Sequence, residues 1–194
     1  MKDLLVLLAD GFEEVEALSV VDIARRAGLV CETCSIRESK KVKSAHDVWI
    51  LTDTNLDSIN IEDYRALFIP GGGQGANNLK NDPKVIEIIE VFNQDEKILA
   101  AICAGPSVLD RAGILTDGEF TCYPGVEKRM SVENPKDLPV YVKDNIITGM
   151  GPGLSPYMGL KVAEALAGKE KMEMVKEEYL LNKLENFIKK DKIS

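Results

Sequence analysis

Short, mostly apolar runs recur along this chain and constrain its fold more than any other feature. They lie at Leu4–Ala9, Leu29–Ile36, Ala66–Ile69 and Ile98–Ile102. A strand with one solvated face alternates apolar and polar residues, whereas a continuous apolar run is typical of a strand covered on both faces. The runs therefore predict a sheet that is buried between two layers.

Segments with helical spacing of apolar residues separate these runs. They lie at Val15–Ala27, Lys84–Phe92, Pro106–Ala112 and Gly159–Leu166. Strands that alternate with helices form parallel sheets, because each helix returns the chain to the same end of the sheet. The segment Val140–Thr148 is expected to add a tight antiparallel hairpin at the sheet edge. The sequence thus predicts an α/β fold with a mostly parallel sheet and helices on both faces.

One domain is expected over residues 1–194, because the chain has no internal repeat and no linker rich in Pro, Gly or Ser. The spacing of apolar residues in the last part of the chain predicts an amphipathic helix at about 170–190, which packs on the domain rather than on a membrane. The apolar positions of this tail, Lys169–Lys192, are Val175, Leu180, Leu184, Phe187 and Ile188.

Charge and cysteine usage restrict the partners and the compartment. The formal net charge is -8, and no basic patch is interleaved with aromatic residues, which argues against nucleic acid as a partner. The run Leu4–Ala9 is too short for a signal-peptide core, and no segment is long enough to span a membrane. With 4 cysteines and no secretory signal, we expect free thiols in a reducing cytoplasm.

The pair Cys31 and Cys34 has C-x-x-C spacing, but it lies inside a predicted strand. Odd spacing in a strand places the two side chains on opposite faces, so a redox dithiol is not expected. A structural zinc site needs four converging ligands, and the chain has 1 histidine and scattered cysteines. We therefore expect no metal.

Cys103 ends the apolar run of the stretch AAICAGP and lies at a strand-to-helix turn, since Pro106 suits the first turn of a helix. Ala101-x-Cys103-x-Gly105 has the small-x-nucleophile-x-small form of a nucleophile elbow. Amides at a helix start favour a thiolate and are expected to lower the pKa of the thiol below roughly 8.5. The alternative is a small buried hydrophobic residue, the common fate of a free cysteine.

Two more motifs follow predicted strands and are expected at the same edge of the sheet. The glycine-rich stretch IPGGGQG can place backbone amides near Cys103, where they and the Ala104 amide can bind an oxyanion or an oxidised sulfur. The stretch DGFEEVE opens a helix, and complementing the helix dipole fully explains Glu13 and Glu14. Glu16 can point to solvent or inward, and the spacing alone leaves both open.

The stretches DGFEEVEALSVVDIARRAG, FIPGGGQGANNL, AAICAGP and GPG together resemble the ThiJ/PfpI superfamily, most closely its parkinsonism-associated (DJ-one) branch. The resemblance runs from about Leu4 to Glu170. It implies a flavodoxin-like three-layer sandwich, a homodimer and a reactive cysteine at the position of Cys103.

The resemblance also implies roles for individual residues. Glu16 takes the position of a glutamate that is held protonated and donates a hydrogen bond to the cysteine sulfur. Gly72 and Ala104 take the positions of amides that face the sulfur, and Pro152 lies beside the same pocket. A neutral carboxylic acid can donate to a thiolate, whereas two adjacent anions repel each other, so the two titrations should be coupled.

Two residues depart from the family pattern. Tyr123 stands where many relatives have a histidine near the cysteine, which argues against a protease-like dyad and against a peptidase or glutamine amidotransferase. His46 stands where close relatives have an arginine near the pocket, contributed across the dimer. Cys122 can act as a resolving thiol or as a structural residue, and strand alternation leaves both open.

The same residues support two functions. In the first, a cofactor-free glyoxalase or deglycase uses Cys103 to form a hemithioacetal with a reactive α-oxoaldehyde or a glycated adduct. In the alternative, the protein is a non-enzymatic oxidative-stress sensor or redox-regulated chaperone, in which Cys103 is oxidised to the sulfinate. The motifs do not separate the two.

Overall fold

The computed structural model describes residues 1–190, which contain nine strands. Seven of them form one sheet in the order β5-β2-β1-β6-β7-β9-β8, and β3 pairs with β4 in a separate antiparallel hairpin. The strands are β1 (Lys2–Leu8), β2 (Cys31–Ser35), β3 (Lys41–Lys43), β4 (Trp49–Leu51), β5 (Thr54–Asn55), β6 (Tyr64–Ile69), β7 (Ile98–Ile102), β8 (Val140–Lys143) and β9 (Ile146–Gly149).

The large sheet is parallel except at one edge. Only β8 runs antiparallel to its neighbour, β9, and the two form the hairpin predicted over Val140–Thr148. Lys143 pairs with Ile146 across a two-residue turn, and Asp144 has the positive φ of 51° that such turns favour.

Helices cover both faces of this sheet and confirm the predicted three-layer α/β sandwich. Along β1, Leu4 and Val6 pack into one core and Leu5 and Leu7 into the other, as the period of two requires. Helices α1, α5, α6 and α7 line the first core, and α2, α3 and α4 line the second. The helices are α1 (Glu14–Arg26), α2 (Gly73–Lys80), α3 (Pro83–Gln94), α4 (Pro106–Arg111), α5 (Ser155–Ala167), α6 (Lys169–Glu178) and α7 (Leu181–Lys189).

The two cysteines of the C-x-x-C pair lie on opposite faces of β2, as predicted. Cys31 packs in the first core and Cys34 in the second, and both are free and buried. Burial raises the pKa of each thiol to about 12. The pair therefore has neither the geometry nor the ionisation of a redox dithiol.

The tail forms two helices, α6 and α7, instead of the single helix predicted at about 170–190. Leu180 separates them in the left-handed conformation, with φ of 62°. Val175 on α6 is buried, whereas Phe187 and Ile188 on α7 are about half exposed. Residues 191–192 of the predicted pattern lie outside the described residues. Within residues 1–190, every helix is too short or too polar to cross a lipid bilayer.

The parallel order places four chain segments at one edge of the sheet. The carboxyl ends of β1, β6, β7 and β9 lie side by side in this sheet. The segments that leave them contain the acidic helix start, the glycine run, Cys103 and the Gly151–Pro152 pair. Ligand sites of open parallel sheets form at this edge.

Candidate active site

Cys103 lies in a sharp turn between β7 and α4. Its φ of 63° is unusual for a residue other than glycine, and its backbone N–H donates to the Gly149 carbonyl at 2.9 Å. A Cβ atom at Gly105 would lie 2.5 Å from the Ile69 carbonyl oxygen, so this position has no room for a side chain. Cys103 is partly exposed, whereas the other three cysteines are buried.

Glu16 points inward, which resolves the direction that helical spacing left open. Its side chain is fully buried, and its Oε2 accepts a hydrogen bond from the Gly71 N–H at 2.7 Å. Its Oε1 is buried without a partner of good hydrogen-bond geometry among the described residues. The Cys103 thiol lies close enough to act as a hydrogen-bond partner of this carboxyl group.

Burial raises the pKa of Glu16 to about 7. The nearby Glu13 charge also raises it, while the Cys103 thiol and the Gly71 amide lower it. Near neutral pH, Glu16 can therefore hold or release a proton.

The pKa of Cys103 is raised to about 12, opposite to the lowered value expected from the turn. Burial is the main cause and the Glu16 carboxylate adds to it, while the amides of Gly72 and Ala104 lower the pKa. The predicted amide effect is present but is outweighed. A thiolate at Cys103 is favoured only when the shared proton is on Glu16, since two anions in this buried space repel each other.

The glycine run lies between the two side chains and allows their close approach. A Cβ atom at Gly71 would lie 2.7 Å from both Cys103 Cβ and Glu16 Oε2. Gly72 has φ of 85°, and a Cβ atom there would lie 2.2 Å from the Gly11 carbonyl oxygen. Sequence reasoning missed Gly71 as the donor to Glu16, although its place in the glycine run was a signal for close backbone approach.

Tyr123 and Pro152 follow the sheet at the same edge. The Tyr123 N–H donates to the Cys103 carbonyl at 3.0 Å, and its half-exposed ring lies 3.1 Å from the position of a Cβ atom at Gly151. Pro152 begins a short 3-10 turn, and its carbonyl accepts a hydrogen bond from the Ser155 hydroxyl at 2.6 Å. Tyr123 therefore contacts the elbow through its backbone, and Pro152 follows Gly151, which lies against the Tyr123 ring.

Cys122 faces away from this pair and packs in a small cluster with Phe120 and Val132. Its Sγ lies 3.9 Å from Glu127 Oε2, and burial raises the pKa of the thiol to about 11. This packing matches the structural alternative for Cys122.

His46 interacts with the start of α1. Its Nδ1 lies 2.9 Å from Glu14 Oε1 and 3.7 Å from Glu13 Oε1, and 66% of its side chain is exposed. The hydrogen bond to Glu14 raises the pKa of His46. These three residues offer ligand atoms within 4.8 Å of one another, but the ion pair itself accounts for their arrangement.

The DJ-1/PfpI family model matches residues 2–165. Protein dj-1beta of Drosophila melanogaster is 36% identical over 177 residues, which cover 90% of this chain and 94% of that protein. The glutathione-independent glyoxalase DJ-1 of Schizosaccharomyces pombe is 31% identical over 180 residues, covering 88% of this chain and 94% of that protein.

The crystal structure of Drosophila melanogaster DJ-1beta superposes with a TM-score of 0.87 at 34% sequence identity, covering 92% of this chain and 97% of that chain. This fold is the flavodoxin-like sandwich expected from the resemblance. The family match spans both the elbow and the acidic helix start. The chain therefore belongs to the DJ-1/PfpI family.

Proposed function

We propose that this protein is a cysteine-dependent, cofactor-free glyoxalase that converts small α-oxoaldehydes to 2-hydroxy acids. The observation that carries the proposal is the pairing of partly exposed Cys103 with buried Glu16, in which one group supplies a nucleophile and the other a proton carrier with a pKa of about 7. A similar protein from Schizosaccharomyces pombe is named a glutathione-independent glyoxalase, which supports the proposal.

The first step forms a hemithioacetal. The Cys103 sulfur adds to the aldehyde carbon, and the carbonyl oxygen takes the proton held by Glu16. Because the proton moves from Glu16 to the substrate, the pair does not carry two negative charges. The amides of Gly72 and Ala104, which act on the sulfur in the resting site, stabilise the developing oxyanion.

The second step is an internal redox rearrangement. The Glu16 carboxylate takes the C–H proton from the hemithioacetal carbon and returns it to the adjacent carbon, while the hydroxyl proton of the hemithioacetal moves to the oxygen on that adjacent carbon, which leaves a thioester of the 2-hydroxy acid. Water then cleaves the S–C bond and releases the acid and the free thiol. The sum is one dicarbonyl plus one water to one hydroxy acid, without an external oxidant or reductant.

The same addition to a glycated thiol or amine gives the deglycase form of the proposal. In this form, Cys103 attacks the carbonyl-derived carbon of the adduct, and the amine or thiol leaves. Free aldehyde released by the adduct produces the same hydroxy acid, so only the glyoxalase reaction is tested directly.

We place the reaction in a reducing cytoplasm, in keeping with the four free thiols.

The direct test is formation of lactate from methylglyoxal, because loss of aldehyde also reports reversible trapping by thiols. We expect Cys103→Ala to abolish lactate formation and Cys122→Ala, which removes a buried thiol outside the pair, to retain it. Glu16→Gln should lose at least about a hundredfold, in the range of general acid–base catalysis. Equal lactate formation by wild type and Cys103→Ala contradicts the proposal.

The sensor is the second function with a specific observation in its favour. Cys103 is the partly exposed thiol among four, and the Gly72 and Ala104 amides can donate to sulfinate oxygens. A sensor predicts that peroxide adds two oxygen atoms at Cys103 and that Glu16→Gln changes the yield, both measured by mass spectrometry. Oxidation restricted to Cys31, Cys34 or Cys122 excludes it.

A further inference from the structure

A cavity of about 470 Å³ opens next to the reactive elbow, and methylglyoxal is too small to fill it. Its lining includes Gly73 and Ala104; Gly73 follows Gly72, and the amides of Gly72 and Ala104 act on the Cys103 sulfur. Asn77, Ser107, Lys80 and Arg129 supply its polar and cationic side chains. The cavity wall therefore includes both residues adjacent to the reactive pair and two cationic side chains.

Both cations lack a carboxylate partner. Within residues 1–190, neither Lys80 nor Arg129 takes part in an ion pair. Lys84, which follows α2 in the chain, is by contrast paired with Asp57 at 2.8 Å. Lys80 also borders a neighbouring cleft with Glu87 and Glu90, but it forms no ion pair with either.

The acidic neighbour of Arg129 is already engaged elsewhere. Glu127 accepts a hydrogen bond from the Gly125 N–H at 2.7 Å, and its carboxylate lies near Cys122. Ser107 is uncharged, and its hydroxyl donates to the Ala104 carbonyl at 2.7 Å. The charged groups of the cavity wall are thus the two cations, and their field favours an anion.

The length of α2 sets the size of a ligand that can reach both ends. Gly73 and Lys80 are the first and last residues of this helix, so their backbones are about 10 Å apart at the usual rise per residue. The flexible side chains of Lys80 and Arg129 shorten this span. A chain of about five carbon atoms covers about half of this span, and the long side chains of Lys80 and Arg129 can cover the rest, so such a chain can place a carbonyl group at Cys103 and an anionic group near the cations.

We propose that Lys80 and Arg129 bind the anionic end of an extended α-oxoaldehyde whose aldehyde carbon reacts with Cys103. This inference rests on the proposed glyoxalase function and names its substrate class, a dicarbonyl that carries a carboxylate or phosphate on a short chain. The chemistry is unchanged: the sulfur adds to the aldehyde carbon, Glu16 moves the proton, and one water releases the 2-hydroxy acid. The cations act in binding and take no part in proton transfer.

The kinetic test compares an anionic substrate with its neutral form of the same length. The probes are 4,5-dioxopentanoate and its methyl ester, and the product in each case is the 2-hydroxy acid. We expect wild type to prefer the acid by at least about tenfold in kcat/KM, if each cation contributes at the upper end of the range for exposed ion pairs. The preference should decrease at high ionic strength.

The variant Lys80→Gln/Arg129→Gln should bring the ratio of acid to ester close to one, mainly through KM for the acid. Lys128→Gln is the matched control, because Lys128 is an exposed cation beside Arg129 that does not line the cavity. It should retain the wild-type ratio. A ratio near one in wild type, or an equal loss in the control, overturns the proposed subsite.

An equilibrium measurement keeps this inference separate from the catalytic proposal. The probe is 4-oxopentanoate, which has the same chain but no aldehyde, compared with its methyl ester by isothermal titration calorimetry. We expect tighter binding of the anion by wild type and by Lys128→Gln, and loss of the difference in the double variant. If the anion binds in this way but no dicarbonyl is turned over, the catalytic proposal fails and the anion site stands. If acid and ester bind equally, the anion site is refuted whatever the turnover.

Discussion

At the scale of single residues, the site depends on one proton shared by the neighbouring side chains of Glu16 and Cys103. Glu16 and Cys103 each have a raised pKa, because burial penalises the charged form of both. Between these two pKa values the pair carries one negative charge. An aldehyde reacts with the form in which the negative charge is on the Cys103 sulfur and the proton is on Glu16.

The raised pKa of Glu16 predicts a pH-dependent stability. The folded state binds the Glu16 proton more tightly than the unfolded chain does. The stabilisation that this proton gives to the folded state is therefore complete below pH 4.5 and is lost as pH rises through about 7. A shift of this size corresponds to about 3 kcal/mol in the free energy of unfolding. Glu16→Gln should therefore become more stable relative to wild type as pH rises from 4.5 to 8.

Urea unfolding of both proteins across this pH range measures the difference. The control is Glu87→Gln, which makes the same chemical change at an exposed position of α3. Its difference from wild type should have little pH dependence. Parallel curves for wild type and Glu16→Gln are incompatible with a raised pKa at Glu16.

Gly71 gives a second prediction at this scale. A methyl group there would collide with Cys103 Cβ and Glu16 Oε2, each 2.7 Å from its position, and would push the pair apart. We expect Gly71→Ala to lower lactate formation by about a hundredfold, since displacements near 1 Å have effects of that size. Gly153→Ala is the control, because a Cβ atom there meets no atom within 4 Å and Gly153 does not line the cavity. Wild-type turnover by Gly71→Ala rules out this role for the contact.

Some of the site was predictable from residue types and some was not. Cys103 was identifiable because an elbow needs small flanking residues at fixed spacing. The direction of Glu16 was not, since both faces of α1 near its start carry apolar residues, among them buried Ala17 and half-exposed Val15. The pKa of Cys103 was predicted with the wrong sign, because motif spacing reports nearby amides but not burial.

At the scale of elements, apolar runs predicted the central strands and periodicity predicted the amphipathic helices. Helix α2 was missed because its glycines indicated a turn, although Gly75 serves close packing: a Cβ atom there would lie 2.6 Å from the Phe12 backbone nitrogen. The hairpin of β3 and β4 was missed because each strand has three residues. Such short elements form through tertiary contacts rather than through a local pattern.

The break between α6 and α7 predicts the effect of a substitution at Leu180. This residue has φ of 62°, and the left-handed conformation costs a residue with a Cβ atom roughly 1–2 kcal/mol relative to glycine. We expect Leu180→Gly to be more stable to urea than Leu180→Ala by about 1 kcal/mol. Both variants lack the leucine side chain, so the comparison isolates the Cβ atom. A more stable alanine variant contradicts strain at this position.

At the scale of the whole molecule, parallel topology explains why motifs far apart in sequence form one site. The sequence predicted this common edge, because parallel strands leave the sheet at the same end. It did not predict the cavity beyond the edge, which lies between α2 and the loop around Arg129. The shape of such a cavity depends on the packing of segments without a fixed spacing.

Exposed apolar side chains lie near the start of α1 and on strand β4 of the β3–β4 hairpin. Val15 and Leu18 on α1 are 50% and 42% exposed, and Trp49 and Leu51 on β4 are 63% and 71% exposed. The two elements are held together where Phe12 pairs with Ser44. Exposed apolar patches often mark protein–protein interfaces, so we propose that the chain forms a homodimer in which a second copy covers these side chains.

Light scattering after size-exclusion chromatography should then give about twice the 21.3 kDa of one chain. Leu51→Glu places a charge in the covered surface and should shift the mass towards that of one chain, since an interface core excludes unpaired charge. Phe187→Glu is the matched control: Phe187 is 48% exposed but lies on α7, which packs on α6. A single-chain mass for wild type refutes the homodimer. Dissociation by Phe187→Glu with an intact Leu51→Glu dimer moves the interface to the tail, away from α1 and the hairpin.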